Sequence, residues 1–591
     1  MSLYAQAKEA LLLLLLPALQ LALLGLPLLA GCVLAIRRGV RGAAGLALAF
    51  LLLLGGFGYG AFWLYLLHPA VGMAASLLLL AAGGVFVWRW RRGPRYAEER
   101  RLLRPLLVPL AVCALVTVAT LQLGYVFGGV SQPVVTAIVR FTHPLPPDNL
   151  IPKLLADGLF AGQVPRPLIS NWLASDRPPL QSGIFLIERP LVGRYDVLAY
   201  QVLSVFLQTL WILGLWAWLA AAGVRRRAAL LVLAGTVCWG FTLVNQFYVW
   251  PKLFPAAYLL AICALVLTPR FAALRDSAAA GAAVGLAAAL SLLAHGGAIF
   301  GLAGIGLALL LTGKYPGRRF VTAAVAAALC ATLPWVGFQK LADPPGDGLI
   351  KLHLAGVEPD DPRSAPAAIR DAYAALSAQA IVANKLANLR MILGDVPGYV
   401  YGLRGLSERL AAFDVRGARP PAENLRGISF LSLAPALGVL TLGIPCLGWI
   451  LLRRGRRTAE GSAAARAWLC ALLVVPVWTL LMFGPAETKL HQGTYLLPLF
   501  AAAGSLLAAW AVAPALAAVL CALHAALNLV LYVALIPEAQ VAAAVKTAFN
   551  PFAAALAGLT GAGLAWTLWR LARCTDRGAH PAMGAHRSGG D

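Results

Sequence analysis

Pro105-Leu-Leu-Val-Pro-Leu-Ala-Val-Cys-Ala-Leu-Val-Thr-Val-Ala-Thr-Leu-Gln-Leu-Gly-Tyr-Val-Phe-Gly-Gly129 is an uncharged apolar run, followed by His143-Pro-Leu-Pro-Pro-Asp148-Asn149 and then Ser175-Asp-Arg-Pro-Pro-Leu180. The first stretch is long enough to cross a bilayer as a helix, because about 20 apolar residues span the hydrocarbon core. The two stretches after it are polar and stiffened by proline. If the flanking helices cross a membrane, the segment 130–196 is where the chain can do aqueous chemistry.

The rest of the chain repeats that pattern. Of 591 residues, 60% are hydrophobic and only 12% charged, with a mean hydropathy of +0.79. Such a composition belongs to an all-α polytopic membrane protein. About fifteen transmembrane spans are expected, near residues 10–36, 42–67, 70–88, 105–129, 197–222, 228–247, 253–269, 277–294, 297–312, 320–338, 429–452, 466–484, 494–512, 515–536 and 553–570. The first run follows Met-Ser-Leu-Tyr-Ala-Gln-Ala-Lys-Glu, which lacks a basic n-region and a cleavage site, and it is expected to be retained. The expected divisions are three N-terminal helices (1–104), a membrane core with its loop (105–338), a loop subdomain (339–428), C-terminal helices (429–571) and a tail (572–591).

Basic residues cluster at alternate span ends: Arg37, Arg38 and Arg41; the arginines from Arg89 to Arg104; Arg225 to Arg227; Arg270 and Arg275; Lys314, Arg318 and Arg319; Arg453 to Arg457; Arg570 and Arg573. The positive-inside rule makes these cytoplasmic. The N-terminus, the segment 130–196 and the segment 339–428 are then external, or periplasmic in a bacterial-type membrane, and the C-terminus is cytoplasmic.

The net charge of +24 invites a nucleic-acid reading. Roughly half of the basic residues lie in those short flanking loops, where anionic lipid headgroups account for them. No nucleic-acid partner is expected. The first external segment is also basic, with Arg140, Lys153, Arg166, Arg177, Arg189 and Arg194, and an anionic partner such as a lipid phosphate would explain that surplus. Eight of nine cysteines lie in apolar runs, so neither a disulfide framework nor a CxxC metal signature is present.

Asp148 and Asn149 precede Leu150, Ile151, Leu154, Leu155, Leu159 and Phe160 at helical spacing. Either residue suits a helix N-cap. A carboxylate just outside a span suits a general base equally well. The Ser175–Leu180 element reads either as a rigid turn with an Asp176–Arg177 surface ion pair or as a preorganised anion site, with Arg177 on a phosphate and Asp176 orienting it or holding a metal. Pro366 to Leu393 suits an amphipathic helix lying on the bilayer surface.

A polar first loop with an Asp before an amphipathic helix, then Asp-Arg-Pro-Pro-Leu, resembles the GT-C superfamily. These are polytopic glycosyltransferases that use lipid-phosphate-linked sugars, among them the protein mannosyltransferases and the aminoarabinose transferases. Tyr248-Val-Trp250-Pro-Lys252-Leu, Ala294-His295-Gly-Gly and Lys489-Leu-His491-Gln-Gly-Thr-Tyr495 add to the resemblance, which covers residues 105–535. It implies a GT-C-like core and transfer of a sugar from a polyprenyl-phosphate donor to a lipid, glycan or protein acceptor, with inversion, on the external face. It makes Asp148 the base and Asp176 an acceptor or metal contact. The doubled acidic pair of some members is Asp148-Asn149 here, which leaves open whether a divalent cation takes part.

The chemistry of such a transfer needs cations for the departing phosphate, and Arg177, Lys252 and Lys489 are the candidates. Either lysine also reads as a residue snorkelling to the interface. His295 and His491 read as supporting ligands or as helix-end residues, and Trp250 and Tyr495 as sugar-stacking rings or interfacial aromatics. A glycan polymerase or ligase would share these features. A transporter or flippase would place charges at mid-span, where His295 and His524 are nearly the only candidates.

Overall fold

The computed structural model describes residues 2–453, 458–485, 494–535, 545 and 548–573. Among them the chain is helical, with no β-strand. The principal helices are α1 (Leu3–Arg37), α2 (Gly42–Leu67), α3 (Pro69–Arg92), α4 (Tyr96–Gly124), α5 (Pro133–Val139), α6 (Ile151–Phe160), α7 (Leu180–Val192), α8 (Asp196–Thr209), α9 (Trp211–Ala221), α10 (Arg226–Val237), α11 (Gly240–Tyr248) and α12 (Leu253–Val266). They continue with α13 (Ala278–Ala294), α14 (Ala298–Leu311), α15 (Arg318–Gly337), α16 (Ala365–Ala374), α17 (Ala378–Leu393), α18 (Val396–Ala411), α19 (Val415–Leu431), α20 (Gly443–Leu452), α21 (Ala459–Leu481), α22 (Leu496–Val512), α23 (Pro514–Leu529) and α24 (Pro551–Arg573).

Ten helical stretches are long and apolar enough to cross a membrane, or eleven if α10 and α11, bent by 62°, form one span. The fifteen expected stretches all fall on helical structure, although 197–222 covers both α8 and α9 and 429–452 covers a series of short helices that ends in α20. Four of them, α12, α13, α14 and α22, have only 14–17 residues and fall short of the usual crossing length. Close backbone approach tightens the bundle where small residues meet. A Cβ on Gly281 or Gly285 of α13 would lie 2.2 Å or 2.0 Å from a carbonyl oxygen of α15, so only glycine permits that contact.

Sequence boundaries shift in three places. Residues 180–192 form a helix whose first nine residues are buried, so the polar segment closes at Pro179 and not at 196. The charges of Glu188, Arg189 and Arg194 disguised an apolar run. Helix α4 passes unbroken through the 104/105 division, and α1 and α4 both pack on α24, so the N-terminal helices belong to the same bundle. The single amphipathic helix expected over 366–393 is two helices, because the Ser377 hydroxyl accepts the Ala380 N–H at 3.1 Å and starts α17 afresh.

Contacts between loops sort the chain ends to two opposite faces. On one, Arg225 pairs with Glu460 at 2.8 Å, Arg37 with Glu99 at 2.8 Å, and Gly317 N–H reaches the Arg275 carbonyl at 2.7 Å. These join the basic clusters to one another. On the other, Ser175 N–H donates to Asp343 at 2.9 Å, Gly348 N–H to Asp176 at 2.8 Å, and Asn550 N–H to the Val126 carbonyl at 2.7 Å. The Asn550 amide also donates to the Gln6 carbonyl at 3.0 Å, which puts the start of α1 on this polar face.

Candidate functional site

Asp148, Arg177, Lys252 and His295, from four separate loops on the polar face, line one cavity of about 310 Å³, and His353 lines it as well. The segment between α15 and α16 adds the apolar side chains of Leu349, Ile350, Leu352 and Leu354 to the lining, with His353 among them.

Asp148 sits in a 3-10 turn, Pro147–Leu150, that leads into α6. Its side chain caps neither helix, since no side-chain cap bond forms at either start. The cap reading therefore fails. Asn149 turns the other way, donating to the Val134 carbonyl at 3.1 Å, while its own carbonyl accepts the Tyr200 hydroxyl at 2.8 Å. Among the described residues the Asp148 carboxylate makes no hydrogen bond and no ion pair, and it faces the cavity.

Arg177 is only 8% exposed. Its guanidinium lies 3.8 Å from the ring centroid of Trp172 and 5.4 Å from that of Trp250, a cation held between two aromatic faces. Burial lowers its pKa, an effect that the charges of Asp148 and Asp176 oppose. The expected Asp176–Arg177 ion pair does not form. Asp176 is buried outside the cavity wall, and its carboxylate accepts the N–H groups of Leu173 at 3.0 Å and Gly348 at 2.8 Å. Burial raises its pKa all the same. Asp176 thus holds the segment after α15 against the Ser175–Pro179 turn.

Lys252 is 5% exposed, and its ammonium, 5.9 Å over the Trp250 ring, has no hydrogen-bond partner among the described residues. Burial brings its pKa down to about 7, with Asp148 opposing and Arg177 reinforcing the fall. A lysine that snorkelled to the interface would be exposed, so that reading fails. His295 follows the last residue of α13, and its Nδ1 accepts the Gly297 N–H at 3.0 Å. The His295 pKa lies well below the ordinary range, chiefly from burial, then from the nearby Lys252, Arg177 and His353. A neutral ring bonded in this way carries its proton on Nε2, where it can donate.

Trp250 lies between these groups, edge-on to His295 at 5.8 Å between centroids. Val249, just before it, is left-handed at φ +57°, an uncommon state for a β-branched residue. A buried amide ladder holds it there. Gln181 of α7 donates to the Val249 carbonyl at 3.1 Å and to the Tyr200 hydroxyl at 3.0 Å. The Gln208 amide donates to Gln181 at 3.2 Å, and its oxygen accepts the N–H of Leu253 at 3.0 Å. The Tyr248 hydroxyl then reaches the Pro146 carbonyl at 2.5 Å, which ties the Trp250–Lys252 turn to the Asp148 turn.

The remaining expected residues do not join the cavity. Tyr495 is buried against Phe241 and donates to Asn245 at 2.6 Å. Lys489 and His491 lie outside the described residues. Part of the basic surplus is also spent locally, since Lys153 and Arg189 both pair with Asp157 and Asp196. Trp172, His353, Gln181 and Gln208 were missed, although glutamines inside apolar runs are themselves a signal. Among the described residues no group of three or more His, Cys, Asp or Glu is arranged to hold a metal ion.

No family model, curated protein or solved structure matches the chain. Its class rests on the fold and the site: a multi-pass, all-helical membrane protein with a carboxylate and two buried cations around a largely apolar cavity at one end.

Proposed function

We propose that the protein is a membrane glycosyltransferase of GT-C type, moving a sugar from a polyprenyl-phosphate donor to an acceptor on the external face. The observation that carries this reading is the spacing of Asp148 from its cations. The Asp148 charge acts on both Arg177 and Lys252, yet no ion pair joins it to either. That gap suits an interposed substrate.

In the reaction, Asp148 accepts the proton of an acceptor hydroxyl as its oxygen attacks the anomeric carbon. The bond from that carbon to the phosphate oxygen breaks, and the configuration inverts in the single displacement. Arg177 and Lys252 take up the charge of the departing phosphate, the Nε2–H of His295 donates to it, and Trp250 offers a face to the sugar. The apolar side chains of Leu349, Ile350, Leu352 and Leu354 receive the first part of the polyprenyl chain. In this reading α12, α13, α14 and α22 complete fifteen spans, with the N-terminus outside and the C-terminus cytoplasmic. Siting of the cavity at one end, among loops, favours group transfer over alternating access, which places its sites at the midplane.

The test is release of polyprenyl phosphate from polyprenyl-phosphate sugars by the purified protein in detergent, with a lipid and glycan extract supplying the acceptor hydroxyls, wild type beside Asp148→Asn. Release by the wild type and none by the variant is expected. No release with any donor sugar tried, or equal release by both proteins, overturns the proposal.

A further inference from the structure

A second cavity, of only about 20 Å³, adjoins the Asp148 cavity, and Arg177, Trp250 and His295 line both. Three more of its lining residues are prolines, Pro152, Pro178 and Pro251, which bring no N–H to it. Ser182 of α7, one residue after Gln181 and fully buried, lines it as well.

Two wholly buried polar atoms of these residues have no hydrogen-bond partner among the described residues, the Arg177 Nε and the Ser182 Oγ. The first can only donate, whereas the second both donates and accepts. A hydroxyl on a helix ordinarily bonds a carbonyl one turn back, as Thr117 and Thr236 do at 2.8 Å each. Ser182 does not. Unsatisfied atoms of this kind are costly inside a protein, and one water between them satisfies both. A volume of about 10–15 Å³ is enough for a water that finds at least two polar partners. A phosphate or a sugar exceeds the space, and the Arg177 charge opposes a cation.

We infer that this small cavity binds one water, which accepts the Arg177 Nε–H and donates to the Ser182 hydroxyl, and that Ser182 is thereby a positioning residue for Arg177. The guanidinium carbon lies 3.8 Å from the Trp172 centroid and 5.4 Å from that of Trp250. Such ring contacts hold a cation in place without aiming any one of its N–H groups. The water bridge supplies the aim, because with Nε tied back to α7 the two Nη groups are left for the Asp148 cavity. The water site stands apart from any activity, whereas the positioning role rests on that cavity holding the donor phosphate.

The first test needs no substrate. A structure of the full-length protein in detergent, at about 2 Å resolution, is expected to show a solvent peak about 2.7–3.2 Å from both Arg177 Nε and Ser182 Oγ. No peak between them overturns the water site. The second test is affinity and turnover with a polyprenyl-phosphate sugar. Ser182→Ala is expected to weaken donor affinity by about threefold or more, with turnover changed less. Ser182→Asn carries an oxygen to the place of the water, where it accepts the Nε–H directly, and is expected to restore affinity. In Arg177→Lys, which has no Nε–H of this kind, Ser182→Ala is expected to add no further loss. If Ser182→Asn does not fold, that cycle decides alone. Unchanged affinity in Ser182→Ala, a folded Ser182→Asn without rescue, or a loss additive to that of Arg177→Lys overturns the positioning role. A wild type that binds no lipid-linked sugar overturns the glycosyltransferase reading and the positioning role with it, while the solvent peak still decides the water site.

Discussion

The side-chain amide of Gln181 donates to the carbonyl of Val249 at 3.1 Å, and this bond reaches from α7 to the one turn that presents both Trp250 and Lys252 to the cavity. Val249 holds a left-handed conformation that its branched side chain disfavours, and such strain persists only where the surroundings over-determine it. The same amide touches the Tyr200 hydroxyl, which in turn bonds the Asn149 carbonyl beside Asp148. One glutamine thus fixes the acid and the cation relative to each other.

Gln181→Leu keeps the volume and removes those bonds. The variant is expected to insert and fold, with its unfolding free energy lower by about 1–3 kcal/mol. Turnover of a lipid-linked donor should fall by about tenfold or more while KM changes less, because misplacement of reacting groups acts on the chemical step. Steady-state kinetics beside thermal unfolding in detergent check this, and a variant with full turnover would show that the ladder positions nothing.

Asp148→Asn preserves shape and removes the proton acceptor. Transfer should drop by at least about a hundredfold, the usual contribution of a general base. Donor binding should survive, since the cations remain. The decisive measurement is donor affinity and turnover on the same preparation, and loss of both together would make Asp148 a binding group instead.

The bundle was largely legible in the sequence because apolar length is a one-dimensional signal. All fifteen expected stretches meet helical structure. Asp148, Arg177, Lys252 and His295 could each be picked out, but their convergence could not, because it depends on how four separate loops fold together. Asp176 illustrates the limit. Its neighbours in sequence give a carboxylate beside a guanidinium, whereas its actual partners include the N–H of Gly348, far along the chain. The close of the polar segment at Pro179 was hidden for a related reason, since charges at the far end of α7 mask the apolar run that begins it.

Arg177→Lys tests the aromatic clamp. The Arg177 guanidinium carbon lies 3.8 Å over the Trp172 ring, and an ammonium on a flexible stem cannot reproduce that contact. Donor affinity is expected to weaken by about tenfold, near 1.4 kcal/mol, although the charge is kept. Trp172→Ala should weaken it similarly, and the double variant should lose little more than either single change. Additive losses in that cycle would place the two side chains in independent roles.

Lys252 gives the binding reaction a pH dependence with a definite sign. Its pKa in the free protein is about 7, against an ordinary lysine value of 10.5. A bound phosphodiester, which carries constant charge across this range, raises that pKa, so binding takes up a proton. Affinity is therefore full below about 7 and falls as pH rises through it, by up to about tenfold per unit. His295 is already neutral throughout this window and does not contribute. Removing the Asp148 charge, which holds the Lys252 proton on, should move the fall to lower pH in Asp148→Asn. Lys252→Arg should abolish it, because a guanidinium stays protonated. Donor affinity measured from about pH 5.5 to 9 in all three proteins checks these outcomes. A flat profile for the wild type, or a fall that persists in Lys252→Arg, would assign the phosphate to other groups.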